Sequence, residues 1–393
     1  MRILFVSPVR PATYGGGSIR THAFLRALAT LEHEVECAWG NASGGDPGAT
    51  LSEFRIVLDL VEKDVPAPHR WRRQLPWTAQ QLHDAALGEA RERADVFDVA
   101  IAFGALGFSL LQGLLHGGTV KARCVWTDFT HIDTAMMLHL AGQPWRVNQL
   151  LEIGRVWRAE RAAAQQSTVT TACIDADQAR VRRWFGVGNT QLLENPIFDP
   201  QTPSAPLRKA SVRGNDLLLT GDLAHDANVD GLQWFFDRCY PILRADGLTS
   251  RIVVAGRSPQ VSIHHMVQAR SDPNVALIAN PSNEAMERAW SEASVSLVPL
   301  SRVSGSRIRI LEALSRGVPV VSTTKGAEGL DHNNAPLIHV ADSPARFAQQ
   351  VERLASSPPS EAEQDSTANW LGQHHSLAAF TSRVEQILGS ATT

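Results

Sequence analysis

The chain has 393 residues, of which 44% are hydrophobic and 20% are charged, so it is long enough to bury more than one core and to form two domains. Its 37 basic and 40 acidic residues give a net charge of -3, and without an overall positive field we expect no nucleic-acid partner. The four cysteines lie far apart without a CxxC pair, which argues against a zinc site and favours a reducing compartment.

The N-terminal apolar run is too short for a signal peptide, and nowhere do about 18 apolar residues follow one another. We therefore expect a cytoplasmic protein that touches the inner face of the membrane at most peripherally. The segment "PHRWRRQLPW" combines arginines with tryptophans, a composition that suits an anionic lipid surface. The residues that would touch lipid are Trp71, Arg72, Arg73 and Trp77. The alternative is a packing or acceptor-binding loop.

Short β-rich runs alternate with helical periodicity along the chain, as parallel α/β sheets require. The first series of strand candidates is "RILFV", "EVECAW", "RIVLDL", "VAIAF", "RCVWTDF" and "STVTTAC", with a helix predicted from Ile19 to Leu31. The second series is "DLLLTG", "RIVVAG", "NVALIAN", "VSLVPL" and "PVVSTT". A Pro-rich segment from Pro196 to Pro206 separates them and predicts an interdomain linker.

Two such series predict the α/β GT-B fold, in which two Rossmann-like domains face each other across a cleft. Ligands would bind at the carboxyl ends of the strands. We assign residues 1–195 to the first domain, 196–213 to the linker and 214–365 to the second domain. Residues 366–393 are expected to form a C-terminal helix that could return to the first domain.

The segment "VPLSRVSGSRIRILEALSRGVPVVSTTKGAEGL" carries the most chemical information. A buried strand leads into a Ser/Gly loop, then a helix from about residue 306 to 316, which Gly317 ends. Amides at such a helix start attract anions, so this backbone could hold a phosphate. The residues concerned are Ser304, Gly305, Ser306 and Ile308.

Charged side chains on the same helix extend this hypothesis. Arg307 and Arg309 would donate charge-assisted hydrogen bonds to the anion, and the Glu312 carboxylate could accept bonds from a ribose diol. The alternative is a surface ladder of ion pairs among Arg309, Glu312 and Arg316, which are spaced i, i+3 and i+7.

This segment resembles the donor-binding region of family-4 glycosyltransferases, retaining GT-B enzymes that use nucleotide sugars. The stretch "LEALSRGVPVVSTTKGAEGL" fits the family pattern, with Glu312 in the place of the second of two glutamates. Ser304 stands in the place of the first, as in a branch of the family that reads "GSGTR.K.LEA". The resemblance extends to "TGDLAHDANVDGLQWF", to "VVAGR" and to the "EN" of Glu194 and Asn195.

The resemblance implies that the second domain binds the nucleotide sugar. Many relatives carry an arginine and a lysine just after the first strand of this domain, but no basic pair follows Gly221 here. The diphosphate charge would then fall to Arg307 and Arg309, with Arg257 as a weaker candidate. In the first domain, the glycines Gly15, Gly16 and Gly17 would let the main chain approach the donor closely.

Retaining members of the family are thought to react on the front face of the sugar, with the leaving phosphate helping to deprotonate the acceptor. Polar groups at the end of "RCVWTDF" would assist from the first domain, with Asp128 and His131 as catalytic candidates and Asp133 beside them. Relatives often use a histidine near this point to bond the transferred sugar. The alternative is that an aspartate caps the next helix and His131 packs nearby.

We therefore expect a retaining hexosyltransferase that moves a sugar from a nucleoside diphosphate to a hydroxyl of a glycan, a lipid-linked glycan or a small molecule. No DxD-type acidic motif lies in a plausible position to bind a cation, so we expect no cofactor and no obligatory metal. The alternatives are a nonhydrolysing nucleotide-sugar epimerase on the same fold and an inactive nucleotide-sugar sensor. Hydrolysis of labelled donor without acceptor would separate the enzyme from the sensor.

Overall fold

The computed structural model describes residues 1–8, 16–40, 54–59, 77–87, 94–140, 147–197, 214–301 and 307–392. These residues form two α/β units. Those up to 197 and from 374 onward belong to the first unit, and those between 214 and 373 belong to the second.

The first unit is built on a parallel sheet of seven strands in the order β3-β2-β1-β4-β5-β6-β7. The strands are β1 (Arg2–Ser7), β2 (Glu34–Trp39), β3 (Arg55–Asp59), β4 (Asp95–Phe103), β5 (Val120–Phe129), β6 (Val169–Ala172) and β7 (Thr190–Leu192). The helices are α1 (Gly16–Thr30), α2 (Trp77–Leu87), α3 (Gly104–His116), α4 (Asp133–Leu140), α5 (Val147–Gln165), α6 (Asp175–Phe185) and the C-terminal α14 (Leu377–Thr392).

Strand β1 shows why these apolar runs become central strands. Successive side chains of a strand point to opposite faces of the sheet. Accordingly, Leu4 and Val6 join the core beneath α3, while Ile3 and Phe5 join the core beneath α1 and α14. A strand covered by helices on both faces must be apolar at every position, which is the pattern of "ILFV".

The C-terminal helix α14 packs against α1 within the first unit. The rings of Phe24 and Phe380 meet edge to face with their centroids 5.1 Å apart. The backbone N–H of Ile197, at the start of the predicted linker, donates to the carbonyl of His375 at 2.7 Å, just before α14.

The second unit has a parallel sheet of six strands in the order β10-β9-β8-β11-β12-β13. The strands are β8 (Asp216–Asp222), β9 (Ile252–Arg257), β10 (Val275–Ala279), β11 (Ala293–Val298), β12 (Val320–Ser322) and β13 (Ile338–Val340). The helices are α7 (Asp226–Trp234), which continues through a π-helical turn (Phe235–Cys239) into α8 (Tyr240–Ala245), α9 (Val261–Gln268), α10 (Asn283–Glu292), α11 (Ile308–Ser315), α12 (Pro344–Ser356) and α13 (Glu361–His374).

The predicted alternation of strands and helices is confirmed in both units. Every predicted strand is present, and among the described residues sequence reasoning missed β7 and β13, edge strands of three residues each. Helix α1 begins at Gly16, three residues earlier than predicted. The four cysteines are buried free thiols. Most of the predicted linker lies outside the described residues.

Candidate functional site

Helix α11 follows β11 at the carboxyl edge of the second sheet, as the sequence of this segment predicts. The helix begins at Ile308, and Arg307 stands at its N-cap with φ -101° and ψ 66°. Gly317 ends it with φ +68°, a left-handed conformation that glycine adopts without steric cost. The amide of Ile310 already donates to the Arg307 carbonyl at 2.8 Å, which leaves the two helical amides before it without a carbonyl acceptor inside the helix. Ser304, Gly305 and Ser306 lie outside the described residues.

The Arg309 guanidinium is held by a neutral side chain, that of Asn228. Its Nη1 donates to the Oδ1 of Asn228 at 2.9 Å. A Cβ on Gly221 would lie 3.0 Å from both terminal nitrogens of Arg309, so the bare glycine backbone at the end of β8 leaves room for the group. In the part of the chain that the structure describes, no carboxylate oxygen lies within 4 Å of this guanidinium.

The electrostatic surroundings of Arg309 confirm that its charge is poorly compensated. Burial and the neighbouring charge of Arg307 lower the pKa of Arg309 to about 10, and the more distant carboxylates of Glu312 and Asp222 only partly oppose this. A cation in such a position gains more from an incoming anion than an ion-paired arginine does, because no existing partner has to be displaced. This arrangement suits an anionic ligand.

Arg307 is used differently. Only 4% of its side chain is exposed, and it donates from Nε to the carbonyl of Gly326 at 3.0 Å and from Nη2 to the carbonyl of Lys325 at 3.2 Å. The Glu328 carboxylate lies 3.8 Å from Nη2 and 2.6 Å from the Lys325 ammonium. These contacts tie the start of α11 to the turn after β12. The sequence assigned Arg307 and Arg309 the same role, whereas the structure gives Arg307 internal partners.

Glu312 takes part in an ion pair. Its Oε1 lies 3.5 Å from the Nη1 of Arg316, whose Nη2 contacts Glu287 at 2.5 Å and whose guanidinium lies 5.3 Å from the ring of Trp290. Burial raises the pKa of Glu312, and the charge of Arg316 opposes that effect. Of the ladder considered from the sequence, the pair of Glu312 with Arg316 is present, while Arg309 has no carboxylate of any described residue within 4 Å. A third of the Glu312 side chain stays exposed.

Asn228, which sequence reasoning missed, joins the end of β8 to Arg309. Its Nδ2 donates to the carbonyl of Asp222 at 2.6 Å, and its Oδ1 accepts from Arg309. Asn228 follows β8 by six residues, but nothing in the sequence shows that α7 and α11 meet there. Arg257 ends the neighbouring strand β9 as an exposed side chain, in register with Asp222.

In the first unit, Asp128 at the end of β5 is fully buried and paired. Its Oδ2 accepts from the Nε of Arg20 at 2.7 Å, and its Oδ1 accepts from Nη2 and from the Thr171 hydroxyl, each at 2.6 Å. Arg20, equally buried, also donates to Asn195. Asp128 is therefore held by structural contacts and has no exposed surface, and its catalytic role stays a prediction.

His131 lies at the same edge of this sheet and remains 41% exposed. Its ring nitrogens contact the hydroxyl of Thr130 at 2.9 Å and the carboxylate of Asp133 at 3.0 Å. Burial lowers the pKa of His131, but the Asp133 carboxylate, with Glu160 and Asp177 near it, outweighs that effect and raises the pKa to about 9. The imidazole is therefore a cation near neutral pH.

The start of α4 is occupied by a side chain from α5. The buried Glu160 carboxylate accepts from the backbone N–H of Asp133 at 2.5 Å and of Thr134 at 3.3 Å. Burial and the Asp133 charge raise the pKa of Glu160 to about 8. Glu160, which the sequence did not single out, thus caps the helix for which we considered an aspartate.

Other predicted residues receive no structural test. Gly15 lies outside the described residues, and Gly16 and Gly17 form the first turn of α1 instead of a loop. Of the basic and aromatic patch, only Trp77 lies within the described part of the chain, where it begins α2. The described helices include none that is both long and apolar enough to cross a bilayer. Among the described side chains, no three His, Cys, Asp or Glu residues are placed to hold a metal ion.

Residues 214–357 match the family model described as Glycosyl transferases group 1. This stretch includes Asn228, Arg309 and Glu312. A curated relative, an uncharacterized 44.6 kDa protein in the cps region of Klebsiella pneumoniae, is 24% identical over 146 residues. That alignment spans 36% of this chain and 38% of the relative, so it covers little more than a third of either protein.

Solved structures resemble the chain over nearly its whole length. An alpha,alpha-trehalose-phosphate synthase (UDP-forming) from Burkholderia vietnamiensis has a TM-score of 0.67 at 12% identity, over 100% of this chain and 97% of that one. The catalytic domain of starch synthase IV from Arabidopsis thaliana, bound to ADP and acarbose, has a TM-score of 0.62 at 12% identity, over 100% and 99%. An alpha-glucosyltransferase in complex with UDP and a 13-mer DNA has a TM-score of 0.61 at 12% identity, over 99% of each chain. These structural similarities confirm the predicted α/β GT-B fold. At 12% sequence identity they are evidence for the fold alone.

Proposed function

We propose that this protein is a retaining glycosyltransferase that moves a sugar from a nucleoside diphosphate donor to an acceptor hydroxyl. The observation that carries the proposal is Arg309, a guanidinium without a carboxylate of any described residue within 4 Å, inside a stretch that matches the glycosyl transferases group 1 model. The departing nucleoside diphosphate gains negative charge as the glycosidic bond breaks. A cation already in place stabilises that charge without rearranging during the reaction.

In this proposal the second unit binds the donor. Arg309 and the first amides of α11 face the diphosphate, and Glu312 accepts hydrogen bonds from the ribose diol. Arg309 supplies the positive charge, so the proposed reaction uses no obligatory metal. Retention of configuration follows the resemblance to family-4 enzymes, in which the leaving phosphate helps to deprotonate the acceptor.

Thermal unfolding with a panel of nucleotide sugars tests donor binding, because a ligand that binds only the folded state raises Tm. ADP-linked and UDP-linked sugars come first, since two of the structural neighbours contain ADP or UDP. Arg309→Ala serves as the matched control, and its Tm should rise less than that of wild type at the same donor concentration. If wild type and Arg309→Ala respond equally to every donor, the proposed anion site is wrong.

Labelled donor then tests turnover. Slow release of free sugar without acceptor is expected of a glycosyltransferase, and the released sugar should first appear with the anomeric configuration of the donor. An epimerase would instead return an altered nucleotide sugar, and a sensor would leave the donor intact. Either of those two results would contradict the proposed function.

A further inference from the structure

Asn228 joins the end of β8 to α11 through a single side chain. It is the third residue of α7, and only 7% of it is exposed. Its amide nitrogen donates to the carbonyl of Asp222 at 2.6 Å, which fixes the orientation of the amide. Its Oδ1 then points at Arg309 and accepts from Nη1 at 2.9 Å.

The neutral amide matters as much as the contact. A carboxylate at the same place would form an ion pair with Arg309 and compensate its charge, whereas an amide oxygen accepts the hydrogen bond without doing so. The nearby acids have other partners. Asp222 accepts from the backbone N–H of Ala224 at 3.0 Å, and Glu312 pairs with Arg316.

We propose that Asn228 is a positioning residue, which orients Arg309 toward the donor diphosphate while leaving its charge uncompensated. This inference rests on the proposed function, because it names the residue that prepares the same anion site. Asn228 itself touches no reacting atom in the proposal, and its effect passes through Arg309. The ligand class is a diphosphate, free or within a nucleotide.

Two variants and one probe test the inference. Titration calorimetry with inorganic pyrophosphate measures anion affinity without a contribution from base or sugar. Asn228→Asp should lower that affinity about tenfold or more, because it converts Arg309 into an ion pair. It should also flatten the dependence of affinity on salt, since less net charge faces the anion. An acid in the first turn of a helix is favourable, so this variant is expected to fold.

Asn228→Ala removes the contact without adding charge and should weaken pyrophosphate binding several-fold. Gln260→Ala is the matched control, because Gln260 bonds Ala224, between β8 and α7, and Asp226, the first residue of α7. That control should bind pyrophosphate within about twofold of wild type. If Gln260→Ala weakens pyrophosphate binding as much as Asn228→Ala does, a general loosening of the connection between β8 and α7 explains both losses. That result would overturn the inference.

A double-mutant cycle separates this inference from the proposed function. In the Arg309→Ala background, Asn228→Ala should change the affinity less than about twofold, because residues that act through one contact are not additive. Additive losses would overturn the positioning role alone. If Arg309→Ala binds pyrophosphate as tightly as wild type, the proposed donor site fails, and the role of Asn228 fails with it.

Discussion

The guanidinium of Arg307 donates to the backbone carbonyl of Gly326 at 3.0 Å, across 19 residues of sequence. Two positions further along, Arg309 donates to the side chain of Asn228, across 81 residues. Within one turn at the start of α11, two arginines thus have different partners. Arg307 is bonded to main-chain carbonyls, and Arg309 is bonded to a neutral amide side chain.

Removal of Arg307 should therefore lower the stability of the folded protein. Arg307→Ala leaves the carbonyls of Lys325 and Gly326 without this donor, and each buried acceptor left unpaired costs about 1–3 kcal/mol. Urea unfolding measures the loss in the free energy of unfolding. Arg316→Ala, a control that removes a more exposed arginine from the carboxylates of Glu287 and Glu312, should cost less than about 1 kcal/mol. Equal losses would contradict the assignment of Arg307 to the fold.

Removal of Arg309 should affect the ligand instead. Arg309→Ala is expected to weaken binding of the nucleoside diphosphate about tenfold or more and to lower turnover further, because charge on the diphosphate grows in the transition state. Arg309→Lys should restore part of both, since a point charge lacks the bidentate fork. The free energy of unfolding should not fall, because the site already disfavours the charge that it holds. Unchanged kinetics in a folded Arg309→Ala protein would contradict this role.

Glu312→Gln tests the recognition of the ribose. An amide in place of a charged acceptor should weaken nucleotide-sugar binding about tenfold, as measured by titration calorimetry. Glu287→Gln is the matched control, because Glu287 shares Arg316 with Glu312 and has no proposed ligand. If the two variants bind the donor equally well, Glu312 acts only in the ion pair.

Asp128→Asn should destabilise the first unit. The change leaves Arg20 buried without its counter-charge, and breaking a buried pair in this way costs about 3–5 kcal/mol. The same substitution at Asp237, an exposed partner of Arg270 at 2.8 Å, should cost about 0–1 kcal/mol. Chemical denaturation compares the two. A stable Asp128→Asn protein with lost turnover would instead support the catalytic role that the sequence suggested.

The pair of His131 and Asp133 should make stability depend on pH. The pKa of His131 rises from 6.5 to about 9 on folding, so its stabilising contribution is complete below pH 6.5 and is lost as the pH rises through 9. The Tm of wild type should fall across that window more steeply than the Tm of His131→Asn or Asp133→Asn. Parallel profiles for all three proteins would show that the pair does not stabilise the fold.

Sequence pattern determined most of the architecture of this protein. Short, continuous apolar runs predict central parallel strands that are buried on both faces, and the strands lie where the sequence predicted them. The edge strands β7 and β13 were missed because three residues carry too little pattern to mark a strand. The start of helix α1 was predicted too late because its first turn contains glycines, which are poor helix formers.

For the candidate site, the sequence supplied the helix start and its charged residues, because both lie within one local segment. Only the tertiary structure decided which arginine bonds main-chain carbonyls and which bonds a neutral amide. That choice depends on Gly326, on Asn228 and on the bare backbone of Gly221, which lie in a turn, in helix α7 and in strand β8. The partner of Asp128 in the first unit is likewise distant in sequence, because Arg20 lies 108 residues away. Local patterns follow from propensity and burial, whereas the partner of a buried charge is fixed by long-range packing that no single segment contains.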